Sequence, residues 1–421
     1  QINFVGHETD GSMFVQASGG NGNLSYSASG LPPGIYLEPT NGTIYGTIEE
    51  GALANSPYRI TVTIDDEDEI HSDAVSFNFN WTISPELTSQ SWHEKNENRS
   101  YHPRHEGSFV QAGHEFYLMG GRESSTTIDI YDIENDSWRS LTDINPYSFN
   151  HFQAVYYQGL IWVIGAFDTN DFPNETPASN IWMFDPVNEI WIEGPEIPEN
   201  RRRGSAGLVE YRGKFYIVGG NTDGHDGGYV NYFDSYDPET GEWTVLDDAP
   251  RARDHFFAAT IGNKLYAVSG RQSGGDEGTF APVLPEVDVY DFNAQTWSTL
   301  PDSLDLPTPR AAAVVNNYLG KLIVAGGEVA TNSLALSTTE MFDPLSQSWE
   351  TLDSLNFGRH GTQGIVSGKG LYVVAGSPRK GGGNIGNMEY FGFDAPNTNP
   401  LVESELILPE SVLVKKGKPE E

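Results

Sequence analysis

Cysteine is absent from this chain of 421 residues, and cationic residues are few. Without cysteine the protein has no disulfides, thiolate metal sites, cysteine nucleophiles or cysteine-bound iron–sulfur clusters. Lys and Arg number 24 against 59 Asp and Glu, which gives a formal net charge of −35. Binding to phosphates requires clustered cations, so the composition argues against a nucleic-acid partner or an anionic membrane surface. There is also no run of 18 apolar residues, and we therefore expect no membrane insertion.

The composition does not favour helices either. The chain contains 46 Gly and 25 Pro, which argues against a helix-rich protein. Aromatic residues at 12% and charged residues at only 20% argue equally against disorder. The length suits one large β domain beside a smaller one. The chain begins with Gln1 rather than Met, as mature proteins do after removal of a signal peptide, so we expect a secreted or cell-surface protein.

A short motif recurs five times along the chain. In each copy an aromatic residue is followed directly by Asp and, seven positions after the aromatic, by Trp. The copies are YDIENDSW at 131–138, FDPVNEIW at 184–191, YDPETGEW at 236–243, YDFNAQTW at 290–297 and FDPLSQSW at 342–349. An apolar strand ending in small residues precedes each copy, and a sixth such strand stands alone. The first small residues are Gly120, Gly165, Gly219, Ser269, Gly326 and Ala375.

These units repeat about every 50 residues with four short β runs each, which is typical of the blades of a β-propeller. The sixth unit has no Trp after its apolar strand, but Trp92 precedes the first unit. The simplest arrangement places the strand around Trp92 at the outer edge of the last blade. Such closure removes exposed sheet edges. We therefore predict an all-β protein with a six-bladed propeller over residues 88–398.

The double glycine, the aromatic–Asp pair and the spaced Trp together resemble Kelch repeats, over about 310 of the 421 residues. The pattern departs from the family at Gly165-Ala166, at Ser269-Gly270 and at Ala375-Gly376, the last of which also lacks its own Trp. The resemblance implies a Kelch-type propeller that binds its ligands on the channel face.

Residues 1–86 have a different pattern, in which apolar and polar residues alternate between turn signals, as in half-buried strands. The segment LPPGIYLEPTNGTIYGT at 31–47 resembles the putative-Ig or cadherin-like modules of bacterial surface proteins. We expect a small Ig-like β-sandwich here. Residues 399–421 are expected to form a linker or the start of a further domain, so other domains of a longer chain are anticipated.

An arginine lies sixteen residues before the first small residue in five of the six units. The five are Arg104, Arg203, Arg253, Arg310 and Arg359, and Phe149 takes this position in the second unit. In a propeller this position lies where the first strand of a blade begins, on the face that also carries the loops between the second and third strands. Side chains two apart on a strand face the same way. We therefore expect the residues two positions later to surround the mouth of the central channel: Glu106, His151, Ser205, His255, Ala312 and Gly361.

Two interpretations of the arginines remain open. In one, each arginine braces a neighbouring blade through a carboxylate or a backbone carbonyl. In the other, several arginines bind an anionic ligand, because planar bidentate donors suit carboxylates. In Kelch proteins that bind acidic peptides or sialic acid, arginines on this face contact the ligand. That resemblance favours Arg203, Arg253 and Arg359, with His151 and His255 beside them.

The loops between the second and third strands vary most in length and open on the same face. The long ones cover residues 167–180, 221–230 and 271–286. They carry side chains suited to a sugar or a protein partner, namely Phe172, His225, Asp226, Tyr229 and Phe280. Elsewhere, the acidic run at 65–69 offers the oxygen ligands that Ca²⁺ prefers. Asp65, Asp66 and Asp68 are therefore a candidate calcium site, with a solvated turn as the alternative.

The sequence favours a secreted or cell-surface binding or adhesion protein over an enzyme. The expected ligand is a glycan, with acidic glycans included, or a protein partner, and calcium is the one cofactor considered. The enzyme alternative is a sugar-processing propeller, such as a sialate mutarotase or a lyase, with His151, His255 or Glu106 as acid or base. Kelch oxidases need a Tyr–Cys cross-link beside copper, which the absence of cysteine excludes. A structural spacer in a larger surface protein is the second alternative.

Overall fold

The computed structural model describes residues 2–4, 8–15, 17, 23–66, 74–84, 90–404, 406 and 413–415. These residues form two compact units built almost wholly of strands. The first unit comprises residues 1–90 with the short segments 261–264 and 318–321, and the second comprises the rest. Over the described ranges, no helix combines the length and the apolar character needed to cross a bilayer.

The first unit contains two sheets. The four-stranded sheet has the order Ile2–Phe4, Val75–Ser84, Tyr58–Asp65, Ser25–Ser29, and the three-stranded sheet has the order Glu8–Phe14, Thr43–Thr47, Ile35–Leu37. A 3₁₀ helix, Glu50–Asn55, precedes the strand Tyr58–Asp65. Alternate residues of the strands point inward, and the fully buried Trp81 packs there with Ile60 and Val62. The predicted Ig-like sandwich is confirmed.

The second unit contains six four-stranded antiparallel sheets within the described residues, and we name the strands of each a to d. Blade one has Gly107–Ala112, Glu115–Gly120, Ile128–Asp132 and Ser137–Leu141, and blade two has Ala154–Tyr157, Leu160–Val163, Asn180–Asp185 and Ile190–Glu196. Blade three has Gly207–Tyr211, Lys214–Val218, Phe233–Asp237 and Glu242–Val245, and blade four has Ala258–Ile261, Lys264–Ala267, Asp288–Asp291 and Thr296–Thr299. Blade five has Val314–Tyr318, Lys321–Ala325, Thr339–Asp343 and Ser348–Leu352, and blade six has Gly364–Ser367, Gly370–Val374, Met388–Gly392 and Trp92–Glu94. The predicted six-bladed propeller is confirmed, and a further strand, Leu413–Lys415, extends blade two.

The last blade is completed by a strand from before the first. Trp92–Glu94 pairs antiparallel with Met388–Gly392, and Trp92 lies opposite Phe391. The indole of Trp92 is buried and donates to Thr339 Oγ1 at 2.9 Å. The two ends of the propeller are thereby joined in one sheet.

The repeated motif has a local physical cause in the turn between strands c and d. In blade one, Asp132 Oδ1 accepts the backbone N–H groups of Glu134 and Asn135, and Asp136 has the left-handed φ of 49° that closes the turn. Tyr131 and Trp138 then lie opposite each other, with ring centroids 5.3 Å apart. The same capping bonds are made by Asp185, Asp237, Asp291 and Asp343. The spacing therefore encodes one turn and one cross-strand aromatic pair per blade.

The small residues that end strand b lie where one blade meets the next. The N–H of the second small residue donates to the carbonyl of the residue at the arginine position of the next blade, as Gly220 does to Arg253 at 2.8 Å. The other such bonds are Gly121 to Phe149, Gly270 to Arg310, Gly327 to Arg359 and Gly376 to Arg104. At Gly219 a Cβ atom would lie 2.5 Å from the carbonyl oxygen of Arg253, so no side chain fits. The apolar layers lie between blades, with Ile130 of blade one and Phe184 of blade two in one cluster.

Ring closure predicts a sharp difference between two truncations. A chain that begins at Ser91 retains the strand Trp92–Glu94, whereas a chain that begins at Asn96 leaves Met388–Gly392 as an unpaired edge. We expect the second to self-associate more strongly than the first and to melt at lower temperature, as measured by light scattering and calorimetry. Equal behaviour of the two truncations would contradict this account of closure.

Candidate functional site

Six residues, one from each blade, form a closed ring of backbone around the channel. This belt consists of Glu106, His151, Ser205, His255, Ala312 and Gly361, the positions expected from the sequence to surround the channel mouth. All six have left-handed backbone, with φ between 50° and 66°. Five belt N–H groups donate to the belt carbonyl of the preceding blade at 2.6–2.9 Å, and the N–H of His255 donates to Ser205 Oγ at 2.8 Å. The belt lines a cavity of about 30 Å³.

Three histidines and one glutamate meet on one side of this channel. We call Glu106, His151, His225 and His255 the His–Glu cluster; all are buried, and one donor atom from each lies within 4.8 Å of the others. His151 Nε2 lies 2.8 Å from Glu106 Oε1, and His225 Nε2 lies 3.9 Å from the same oxygen. His225 Nε2 and His255 Nε2 are 3.1 Å apart. The ring centroids form a near-equilateral triangle with sides of 4.7–4.9 Å.

The outer nitrogen of each imidazole is a hydrogen-bond donor. His225 Nδ1 donates to Glu175 Oε1 at 3.0 Å, and His255 Nδ1 donates to Asp254 Oδ1. His151 Nδ1 lies 2.6 Å from Asn150 Oδ1. The amide of Asn150 is oriented unambiguously, because its Nδ2 donates to the carbonyls of residues 148 and 169. In its neutral form each ring would therefore carry its proton on Nδ1 and turn an unprotonated Nε2 toward the centre.

Arg122 holds the carboxylates of the site. Its guanidinium donates to Glu106 Oε2 and to Glu175 Oε1, and it donates to Asn170 Oδ1 at 2.8 Å. Glu106 Oε1 is thus left to face His151. Burial alone would raise the pKa of Glu106, but its interactions with His151, His105 and Arg122 outweigh burial and hold that pKa well below its usual range.

Burial acts on the histidines in the opposite sense. Removal from water lowers the pKa of His151 to about 4, against the attraction of Glu106. Burial also holds the pKa of His255 well below its usual range, and the nearby Arg271 adds to the effect. These two rings are therefore neutral at physiological pH and present lone pairs rather than charges.

The loops between strands b and c cover the cluster. His225 lies in the short 3₁₀ turn Gly224–Asp226 of the blade-three loop, and its backbone N–H donates to the carbonyl of Pro173 in the blade-two loop at 2.8 Å. Ser205, the belt residue of blade three, is small, and His225 reaches the channel in its place. The ring of Phe172 packs on His225 with centroids 5.0 Å apart while its outer side is exposed. The cluster thus lies directly beneath the face that carries the long loops.

The five arginines expected on this face lie inside their own blades, which corrects their expected location. Each pairs with a carboxylate on strand c: Arg104 with Asp129, Arg203 with Asp234, Arg253 with Asp288, Arg310 with Glu340 and Arg359 with Glu389. Each also donates to a carbonyl near the end of strand b, and the side chain of each of the five is at most 1% exposed. The expectation failed because the belt residues are left-handed rather than extended, so side chains two apart do not face the same way. The arrangement is that of a brace within a blade, and contact of these arginines with a ligand remains a prediction.

Blade two shows that the arginine and its carboxylate act as a unit. Phe149 stands at the arginine position, and Trp182 stands where the other blades carry the acid, two residues before the aromatic of strand c. The two rings are in contact, with centroids 5.9 Å apart. An aromatic pair has thus replaced both members of the ion pair in that blade.

Several residues of the site were not predicted. Arg122 and Arg271 both lie two positions after the first small residue that ends strand b, and Asn150 and Asp254 both follow the arginine position directly. These shared offsets are visible in the sequence and would have identified them. Glu175 has no such signal, because the irregular blade-two loop brings it to the site.

The calcium candidate belongs to the first unit. Asp65 ends the strand Tyr58–Asp65 and pairs with Ser25, Asp66 follows it, and Asp68 lies outside the described residues. Calcium binding there remains a prediction.

Comparison with known proteins agrees with the two units. Residues 192–376 match the family model described as the KLHDC2/KLHL20/DRC7 Kelch-repeats domain, and residues 6–83 match the model described as Putative Ig domain. A solved structure titled "Structure of YjhT" superposes with a TM-score of 0.56 at 15% identity, over 69% of this chain and 94% of that one. This likeness shows the propeller fold alone.

Curated relatives match this chain over part of its length. Kelch-like protein terF of Aspergillus terreus is 27% identical over 312 residues, which cover 70% of this chain and 64% of that protein. Human Kelch-like protein 23 is 23% identical over a match that covers 58% of this chain and 40% of that protein. Beta-scruin of Limulus polyphemus is 28% identical over a match that covers 42% of this chain and 19% of that protein. This chain therefore spans less than two thirds of these relatives.

The Arg310–Glu340 pair offers a test of the brace. Both side chains are buried, so Arg310→Met should leave an unpaired buried carboxylate and lower the free energy of unfolding by about 3–5 kcal/mol. The double variant Arg310→Met/Glu340→Met should recover most of that loss, because no buried charge then lacks a partner. Urea unfolding of the three proteins measures both effects. Equal or additive losses in the double variant would refute the pairing.

Proposed function

We propose that this chain is a secreted or cell-surface protein that binds a glycan on the face formed by its three long loops. The premise is that it carries a Kelch-repeat β-propeller domain preceded by an Ig-like domain. The observation that carries the proposal is an exposed surface of aromatic and carboxylate side chains held over the channel by a rigid scaffold. Binding sites are commonly built on loops of this kind. A protein partner is the other ligand class that such a face could take.

The three long loops are joined to one another. The backbone N–H of His225 in the blade-three loop donates to the carbonyl of Pro173 in the blade-two loop at 2.8 Å. Gly274 of the blade-four loop approaches the blade-three loop so closely that a Cβ atom would lie 2.4 Å from the carbonyl oxygen of Asp226. The face is therefore one preformed surface, which reduces the entropy lost when a ligand binds.

This surface suits a neutral sugar better than an acidic one. Phe172 is 61% exposed and Tyr229 is 36% exposed, so both offer flat apolar area to a sugar ring. The exposed charged residues of the three loops are all carboxylates: Asp171, Asp223, Asp226, Asp276 and Glu277. Carboxylates accept hydrogen bonds from sugar hydroxyls and repel anions. We therefore favour neutral glycans over the acidic ones that the arginines suggested.

A glycan array tests this proposal. Wild-type protein should bind neutral glycans, and Phe172→Ala or Tyr229→Ala should each weaken that binding about 2- to 10-fold through loss of ring contact. Leu345→Ala is the matched control, because Leu345 is 73% exposed but lies in a turn between strands c and d, at the other end of its blade. A blank array, or equal losses in all three variants, would overturn the glycan assignment and leave a protein partner.

A sugar-processing enzyme is the second candidate, and the convergent imidazoles of the His–Glu cluster favour it. Neutral His151 and His255 could accept a proton at Nε2, the role that a general base requires. The sialate version also needs an arginine for the carboxylate of its substrate, and the five arginines of the repeat are already paired. Proton NMR of array-positive sugars incubated with the protein tests turnover; unchanged spectra would eliminate this candidate.

A further inference from the structure

We infer that Glu106, His151, His225 and His255 bind one divalent transition-metal ion, with zinc as the best-matched metal. Their donor atoms lie within 4.8 Å of one another, with individual separations of 2.8, 3.1 and 3.9 Å. In a tetrahedral zinc site with bonds of about 2.0–2.1 Å, neighbouring donor atoms are about 3.3–3.4 Å apart. The cluster therefore has the size of a single coordination sphere.

The hydrogen bonds around the cluster orient its donor atoms toward a cation. Each Nδ1 lies against an oxygen acceptor, and the Nε2 atoms of His225 and His255 face each other at 3.1 Å, so in the neutral rings their lone pairs would converge. The buried Nε2 of His151 lies 2.8 Å from Glu106 Oε1. Converging lone pairs repel one another unless a cation lies between them. Metal-bound histidines typically donate their second N–H to a carboxylate or carbonyl, as all three do here.

Charge gives an independent argument. Glu106, Glu175 and Asp254 place three carboxylates in or against the cluster, and Arg122 supplies one guanidinium. The neighbouring Arg271 is paired with Glu328. Three carboxylates thus lie around one guanidinium in a buried site, where unbalanced charge is costly. A divalent cation would reduce this excess of acidic groups.

The donor set identifies the class of metal. Imidazole nitrogen suits zinc, copper, iron and nickel, whereas calcium and magnesium take oxygen ligands. Four protein donors close a tetrahedral shell, the pattern of structural rather than catalytic zinc. The donors come from blades one, two and four and from the blade-three loop, so the ion would fasten that loop to the channel. The inference does not depend on glycan binding.

Titration of the metal into untagged full-length protein tests the inference. Protein dialysed against a chelator should bind one equivalent of Zn²⁺ by calorimetry, and Co²⁺ should bind in its place with the visible absorption of a nitrogen-ligated site. His225→Ala should weaken binding by more than about 100-fold, since loss of a ligand should exceed the 10–100-fold typical of losing an outer partner. His225 lies on a loop outside the belt, so the variant retains the ring of backbone bonds.

Two further variants separate metal binding from general damage. Glu175→Gln leaves the four proposed ligands in place and removes the carboxylate that accepts from His225 Nδ1. It should weaken Zn²⁺ binding by about 10–100-fold. His360→Asn is the matched control, because His360 is also a buried histidine beside the channel but lies outside the cluster, and it should bind Zn²⁺ like the wild type. Added Zn²⁺ should raise the melting temperature of the wild type and of His360→Asn but not of His225→Ala.

Several outcomes would overturn the inference. These are no stoichiometric binding of Zn²⁺ or Co²⁺ to the wild type, equal affinity in wild type and His225→Ala, or equal weakening in His360→Asn. Binding of Ca²⁺ in place of Zn²⁺ would also overturn it. The glycan array, repeated with and without metal, distinguishes the two proposals: a blank array with intact Zn²⁺ binding would reject only the glycan ligand.

Discussion

The ring of hydrogen bonds around the channel, five of them between backbone groups, is the constraint on which the rest of the propeller depends. It requires left-handed backbone at six matching positions, five of them not glycine, at a cost on the order of 1–3 kcal/mol each. In return the belt fixes the distance of every blade from the axis and directs the belt side chains into the channel. The side chains at the six belt positions thus determine the chemistry of the channel, while the backbone of the belt stays the same. Ala312 and Gly361 leave one side open, while Glu106, His151 and His255 fill the other with donors.

The repeats made the fold predictable from sequence. Each aromatic–Asp–Trp motif encodes one turn and one aromatic pair, and the position of Trp92 predicted how the ring closes. The candidate site was only partly predictable, because its geometry departs from regular strands. Because the backbone is left-handed at Glu106 and its equivalents, the belt side chains point in a different direction from the arginines two residues earlier. The alternation of side chains along a regular strand does not predict this change of direction. Glu175 comes from an irregular loop whose path the sequence does not specify.

The net charge of −35 is distributed unevenly between the inside of the blades, the channel and the exposed loops. Inside the blades, each of the five arginines of the repeat pairs with a carboxylate on strand c, and Asp234 and Asp288 each pair with a second arginine, Arg201 and Arg251. Around the channel, Arg122 and Arg271 bind carboxylates from different blades. The exposed charges of the three long loops are carboxylates. The arginines of the repeat therefore serve mainly to pair with buried carboxylates. Their regular spacing in the sequence overstated the positive charge that the protein offers to a ligand.

The exchange of Arg and acid for Phe149 and Trp182 in blade two bears on how such propellers diverge. A chain that changes one member first passes through a blade with an unmatched buried charge, and so through a poorly folded intermediate. Mutational steps between the two kinds of blade should therefore be rare, and each kind should persist over long lineages. A blade with the aromatic pair would then identify the same blade in distant homologues. The other blades could be numbered from it even where loops and termini have been rearranged.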